Sequence, residues 1–151
     1  LVANRYAAPN LKALLSDKKT LKIFHFARFD IAVLEKYLGV ETTPIYCTKI
    51  ASKLARTYTD RHGLKDLCAE LAGAELSKQQ QSSDWAAEKL SDSQLAYAAS
   101  DVLYLHELKD KLDVMLAREG RTGLAQAAFE FLPARAKLDL AGFGEIDILS
   151  H

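Results

Sequence analysis

Apolar residues recur along most of this chain at three- and four-residue intervals, the spacing of one helix face. A short helix is expected over residues 10–15. A second is marked by Ala27, Ile31, Leu34 and Leu38, with Gly39 as its stop. Pro44 opens a third segment, read as a helix through Ile50 and Leu54 that ends near Arg56. A fourth runs over 64–71 and is closed by Gly73. Polar loops at 57–63 and 76–84 separate these elements. Ser91 with Gln94 three residues on forms a capping box, so a long helix is expected from there to Gly120. Its buried face is read as Leu95, Ala98, Val102, Leu105, Leu112 and Met115. A last helix is expected over 124–132, ending at Pro133 before a mixed tail. Against this helical background, residues 21–26 (LKIFHF) form the one convincing strand, bounded by the polar stretch 16–20.

One strand cannot satisfy its own backbone groups, and a sheet needs partners. Either the fold is all-helical with one segment misread, or the rest of a sheet lies outside this sequence. The only methionine is Met115, so Leu1 is not an initiator residue, which favours the second reading. No repeat and no linker divides the 151 residues, and one domain is expected.

Charge then narrows the function. Twenty basic and 20 acidic residues cancel, which excludes a nonspecific, strongly basic nucleic-acid binder. An enzyme with a basic track for phosphates and an acidic pocket for metal ions remains compatible with that sum. Two cysteines, Cys47 and Cys68, make no disulfide framework and are expected to be buried thiols. No apolar run approaches the ~18 residues of a membrane span, no signal peptide is recognised, and a cytoplasmic location is expected.

Chemistry-bearing residues cluster in two places. In Tyr97-Ala98-Ala99-Ser100-Asp101-Val102, Tyr97 and Asp101 lie four apart on one helix face, away from the apolar stripe. A carboxylate there can hold a hard cation, and a phenol one turn away can orient a water. In His25-Phe26-Ala27-Arg28-Phe29-Asp30 a strand turns into a helix, and Asp30 falls in the first helical turn. Each has a plainer reading. Tyr97 and Asp101 can be a surface contact, Asp30 can compensate the helix dipole, and His25 can be a hydrogen-bonded structural residue.

Taken in order, His25 to Asp30, then Gly63-Leu64-Lys65-Asp66-Leu67, Ser83-Asp84-Trp85, and Gln94-Leu95-Ala96-Tyr97-Ala98-Ala99-Ser100-Asp101-Val102 resemble the ribonuclease D family. The resemblance spans about Leu21 to Leu112. It implies an α/β, RNase H-like 3′–5′ exonuclease fold, with a central mixed sheet flanked by helices. That fold would be N-terminally incomplete here and so mostly helical. On the family's pattern Asp30 matches the acid of the second exonuclease motif, and Tyr97 and Asp101 match the tyrosine and final acid of the third. Asp30 and Asp101 would then be metal ligands, and Asp30, Tyr97 and Asp101 the catalytic set. The family's first motif, Asp-x-Glu on an opening strand, has no counterpart before Leu21, and is expected upstream in the native protein. Cys47-Thr48 stands where the family commonly has Asp-Thr, and the second helical RNA-binding domain has no counterpart either.

The implied activity is hydrolysis of terminal phosphodiesters of single-stranded RNA 3′ ends to nucleoside 5′-monophosphates, using two Mg²⁺ or Mn²⁺ ions held by carboxylates. His25, Phe29 and Lys78 are candidate substrate contacts, with Tyr58 as an alternative stacking residue. A basic stripe of Lys49, Lys53 and Arg56, with Arg61 and Lys65 nearby in sequence, is either a phosphate track or a solvated helix face. Trp85 is assigned to packing. The competing readings are a nucleic-acid-binding module of the same fold without catalysis, a 3′–5′ DNA exonuclease, and a plain helical interaction protein.

Overall fold

The computed structural model describes residues 8–75 and 103–150. Helix α1 (Pro9–Ser16) opens with proline at its first position, where a missing N–H costs nothing. Strand β1 (Lys22–Phe24) lies where the sequence placed it and leads into α2 (Ala27–Leu38). Gly39, left-handed at φ 66°, ends α2, as its place after the last apolar residue predicts.

The next segment corrects the sequence reading. Pro44 does not open a helix; Ile45–Cys47 is a second strand, β2, parallel to β1, and α3 (Thr48–Ala55) follows it without a loop. Lys22 pairs with Ile45, Ile23 with Tyr46 and Phe24 with Cys47. A buried parallel strand shows no polar–apolar alternation. All three β2 residues are buried, so nothing in so short a run separates it from the helix it joins.

Helix α3 buries Thr48, Ala51, Ser52 and Ala55, a face of small side chains at helical spacing. Against it packs α5 (Leu105–Arg118), whose buried face is Leu108, Leu112 and Leu116. Of the residues expected on that face, Leu112 is buried and Met115 packs partly buried against the core, while Leu108 and Leu116 were not anticipated. The expected residues Leu95, Ala98 and Val102 lie outside the described residues. Each fully buried leucine contributes about 1.5–3 kcal/mol of apolar transfer. Between α3 and α5 in sequence lies α4 (Leu64–Leu67), which runs on as a π-helical turn over Cys68–Ala72 to left-handed Gly73.

Helix α6 (Thr122–Leu138) passes straight through Pro133, where the sequence suggested an end. An interior proline costs about 3 kcal/mol. Phe129 and Leu132 before it and Ala136 after it are all buried on the same helix, so tertiary packing on both sides of the proline offsets that cost. Phe129 packs against Tyr46 of β2, ring centroids 4.7 Å apart. A π-helical turn over Asp139–Phe143 then carries the chain back towards α2, where Asp139 accepts two hydrogen bonds from Arg28 at 2.8 Å each. Cys47 and Cys68 are buried thiols, as expected, and neither forms a disulfide. Among the described residues no helix is long and apolar enough to cross a membrane.

Candidate active site

The parallel register places the site. Because Phe24 pairs with Cys47, the carboxyl ends of β1 and β2 lie side by side, and each strand runs directly into a helix. Open parallel sheets present ligand sites at this edge. Residues 25–30 are delivered there by β1 and α2, and Thr48 and Lys49 by β2 and α3.

His25 is locked across the two strands. Its Nδ1 lies 2.9 Å from Thr48 Oγ1, and the same hydroxyl donates to the Phe24 carbonyl at 3.3 Å. With the hydroxyl proton spent on that carbonyl, the oxygen must accept from Nδ1–H, which leaves Nε2 unprotonated. Burial first, and the positive charge of nearby Lys49 second, push His25 down to about 4, so it is neutral at physiological pH. The structural reading of His25 therefore holds, and it still leaves Nε2 as an acceptor.

Asp30, on α2, is half-buried. Its carboxyl is pushed up to about 6 by burial. The N-terminal end of a helix dipole acts in the opposite direction, favouring the anion by about 0.3–1 kcal/mol when exposed. Here desolvation outweighs it. Among the described residues no hydrogen bond or ion pair reaches the Asp30 carboxylate, and its place in the first turn of α2 puts it at the positive end of the helix dipole. A carboxylate kept out of water without a positive partner suits a bound cation.

Phe29, next to Asp30, is 61% exposed and faces Phe26 with ring centroids 6.3 Å apart and planes within 3° of parallel. Lys49 Nζ stands 4.3 Å from the Phe26 ring centroid. The sequence had singled out Phe29 and Lys49, but not Phe26. Its signal is conformational: Phe26 has φ 59° and ψ 53°, a left-handed backbone that bulky residues rarely adopt.

The basic stripe does not survive intact. Arg56 is buried, its guanidinium donating to Glu70 at 2.8 and 3.1 Å, to Ser52 Oγ at 2.9 Å and to the Arg61 carbonyl at 2.8 Å. That bonding makes it a structural tie between α3 and the π-helical turn. Tyr58, the alternative stacking residue, donates its hydroxyl to Glu70 at 2.5 Å and belongs to the same network. Lys78, Trp85, Tyr97 and Asp101 lie outside the described residues. Among the described residues no group of three or more His, Cys, Asp or Glu converges as a metal site, so Asp30 is one candidate ligand of a set not complete there.

Residues 2–117 match the family model described as 3′–5′ exonuclease. The chain belongs to that exonuclease family. Within it the relatives found include ribonuclease D-type enzymes and the DNA polymerase I of Aquifex aeolicus, 41% identical over 106 residues, 70% of this chain but 18% of that protein. Ribonuclease D of Gluconacetobacter diazotrophicus is 38% identical over 111 residues, 74% of this chain but 28% of that protein. The chain thus spans about a third or less of the length of the curated relatives it matches. Among solved structures, Brucella melitensis NrnC is 61% identical with TM-score 0.94, over 99% of this chain and 72% of that one. The same NrnC has been solved bound to pGG and with bound Mg²⁺. Escherichia coli RNase D, an exoribonuclease involved in structured RNA processing, is 28% identical with TM-score 0.77, over 85% of this chain and 34% of that one. These relatives give the fold as the RNase H-like exonuclease fold, of which the parallel β1–β2 pair and its helices are the described part. Exonucleases of this family are metal-dependent.

Proposed function

We propose that the protein is a 3′–5′ exoribonuclease that removes nucleoside 5′-monophosphates from single-stranded RNA ends, with two divalent cations, Mg²⁺ or Mn²⁺, at its centre. The observation that carries this reading is Asp30: a carboxyl pushed up by burial, with no positive partner among the described residues, at the sheet edge, and matching on the family resemblance the acid of the second exonuclease motif. Asp101, on the third-motif position, would be a second ligand, and Tyr97 would orient the attacking water. Bound divalent cations supply Lewis acidity at the scissile phosphodiester. The remaining roles fall to this chain's own side chains. Phe29 offers an exposed ring at the mouth of the site, and neutral His25 offers Nε2 as an acceptor for a donor such as a sugar hydroxyl. Lys78 would be a further contact to the RNA.

That NrnC was solved with pGG supports RNA, and short RNA ends in particular, as the substrate class. A cytoplasmic location is in keeping with two buried thiols outside any disulfide. The test is substitution of Asp30. The native protein should release mononucleotides from RNA in Mg²⁺ or Mn²⁺, and Asp30→Asn should abolish release while the fold is retained. A catalytically empty binding module would bind RNA and release nothing. A DNA exonuclease would degrade a matched DNA strand in preference.

A further inference from the structure

Helix α2 carries Asp30 in its first turn, yet that turn lacks the usual local support. Its N-cap is Phe26, left-handed at φ 59°, and no side chain caps it. The Ala27 N–H donates to the Cys47 sulfur at 3.4 Å, a weak acceptor. What grips the turn comes from the other end of the chain. Arg28 donates to the two Asp139 carboxylate oxygens at 2.8 Å each and to the Gly144 carbonyl at 2.9 Å. Asp139 is held in turn by Arg135, four residues back on α6, whose Nε and Nη2 donate to Oδ1 at 3.1 and 3.0 Å. Arg135 also donates to the Phe143 and Ile146 carbonyls, so the segment after α6 is tied into the same cluster. Gly142, at φ 100°, breaks the π-helical turn, and two residues on the Gly144 carbonyl reaches Arg28. The Asp139 and Arg135 side chains are 18% and 11% exposed, which makes this a shielded, bidentate arrangement and not a loose surface pair.

We propose that Asp139 is a positioning residue for Asp30: acting through Arg28, it fixes the opening turn of α2 and so sets where the Asp30 carboxylate stands when a divalent cation binds. This rests on the exoribonuclease reading of that site and adds to it a part for the chain after α6. Residues 2–117 match the exonuclease model, so Arg28 lies inside the matched region and Arg135 and Asp139 lie outside it. Geometry makes the clamp a support and not an obstruction. Side chains two residues apart on a helix point about 200° from each other, so Arg28 is gripped from behind the face that Asp30 presents. A planar guanidinium bonded through two N–H groups fixes orientation, which a single hydrogen bond does not. A carboxylate that ligates a hard cation must be held to within about 0.5 Å, and groups that fix a ligand's position tune metal affinity. A second tie between the same two helices supplies the contrast. Lys137 of α6 donates to Glu35, and to Glu41 just beyond α2, at 3.0 and 3.2 Å, towards the end of α2 away from Asp30.

The test uses the native protein without RNA, with Mn²⁺ affinity read by calorimetry and, in metal-free protein, backbone amide exchange read by NMR. Asp139→Asn keeps the shape of the side chain and removes its charge; Arg28→Met removes the fork from the other side. Each is expected to weaken Mn²⁺ binding by about 10- to 100-fold. The double variant should lose little beyond either single one, because both changes cut one link. Exchange at the Ala27 and Phe29 amides should quicken by about 10-fold or more in each. Lys137→Gln cuts the other tie, and should leave Mn²⁺ affinity within about twofold and those two amides unchanged. With RNA present, raising Mn²⁺ should recover most of the mononucleotide release in Asp139→Asn, with KM for RNA within about twofold of wild type. Unchanged Mn²⁺ affinity in Asp139→Asn would overturn the proposal. So would an equal loss in Lys137→Gln, which would make the clamp a matter of general stability. Should Asp139→Asn fail to fold, Arg28→Met decides by the same two readings. A wild type that binds no Mn²⁺ and releases no mononucleotides would remove the exoribonuclease reading, while quickened exchange in the variants would leave the clamp on α2 standing.

Discussion

His25 and Thr48 are joined across the carboxyl ends of two parallel strands by a 2.9 Å hydrogen bond between Nδ1 and Oγ1. Thr48 is fully buried, so its hydroxyl has no water to fall back on. Thr48→Val is expected to leave a buried ring N–H without its acceptor and to cost about 1–3 kcal/mol of stability. Thermal melting checks the cost. Nitrogen chemical shifts of wild-type His25 should show the Nδ1–H tautomer.

His25 also sets a pH dependence. Its folded value, about 4, lies below the ordinary 6.5. The unfolded chain therefore takes up a proton first as pH falls, and stability owed to the neutral ring is lost between about 6.5 and 4. Following the imidazole signals by NMR should give a midpoint well below 6 in the native protein. A midpoint near 6.5 would mean the ring is not held as described.

Asp30 runs the other way. Its folded value, about 6, lies above the ordinary 3.8, so the folded state keeps a proton that the unfolded chain has released. The stability contributed by the protonated carboxyl is fully present below 3.8 and is lost as pH rises through about 6. At pH 7.5 the metal-free protein thus carries a destabilising charge. Asp30→Asn is expected to raise its melting temperature there and to lose that advantage at pH 4. The same variant should cut mononucleotide release by more than about 100-fold, since even removing a group that merely supports a metal ligand costs about 10–100-fold. A variant both less stable and fully active would contradict the assignment.

The fold was legible where periodicity had room to act. Helix α2 shows the four-residue spacing of Ala27 and Ile31 with a glycine stop, and α3 ends at Ala55, capped by Arg56, near which the sequence placed its end. Strand β2 was not legible, because three buried residues, Ile45, Tyr46 and Cys47, contain no alternation and abut a helix. Pro133 misled for a different reason: a local rule against interior proline yields to Phe129, Leu132 and Ala136 packing on one side. At the site, Asp30 was singled out through motif order and not through its own chemistry, since an acid in a first helical turn is ordinary. Phe26 left no trace in the sequence, because its part depends on a left-handed backbone that phenylalanine does not announce. Arg56 looked like one more surface cation until Glu70, 14 positions on, came into bidentate contact.

Arg56 supports a further prediction. Arg56→Met would leave the Arg61 carbonyl and Glu70 without the guanidinium, and Ser52 Oγ with His62 Nδ1 as its partner, at a cost of about 1–3 kcal/mol. Melting temperature should fall by several degrees, while KM for RNA below that temperature should stay within about twofold, since a tie of this kind touches no substrate. A large rise in KM with unchanged stability would restore Arg56 to the phosphate track.

Two residues outside the described part complete the catalytic proposal. Asp101→Asn should remove nearly all release at saturating Mg²⁺ or Mn²⁺ with the fold intact. Tyr97→Phe should lower kcat by about 100-fold or more while RNA binding changes little, because only a hydroxyl that acts in the transition state is lost. Unchanged kcat with poorer binding would make Tyr97 a substrate contact instead.

The most direct measurement is product analysis of the native protein on a single-stranded RNA labelled at its 5′ end, in Mg²⁺ or in EDTA. The expected result is a ladder that shortens one nucleotide at a time from the 3′ end, with nucleoside 5′-monophosphates released. EDTA and Asp30→Asn should each abolish it. Internal cuts, shortening from the 5′ end, or equal release in EDTA would contradict it.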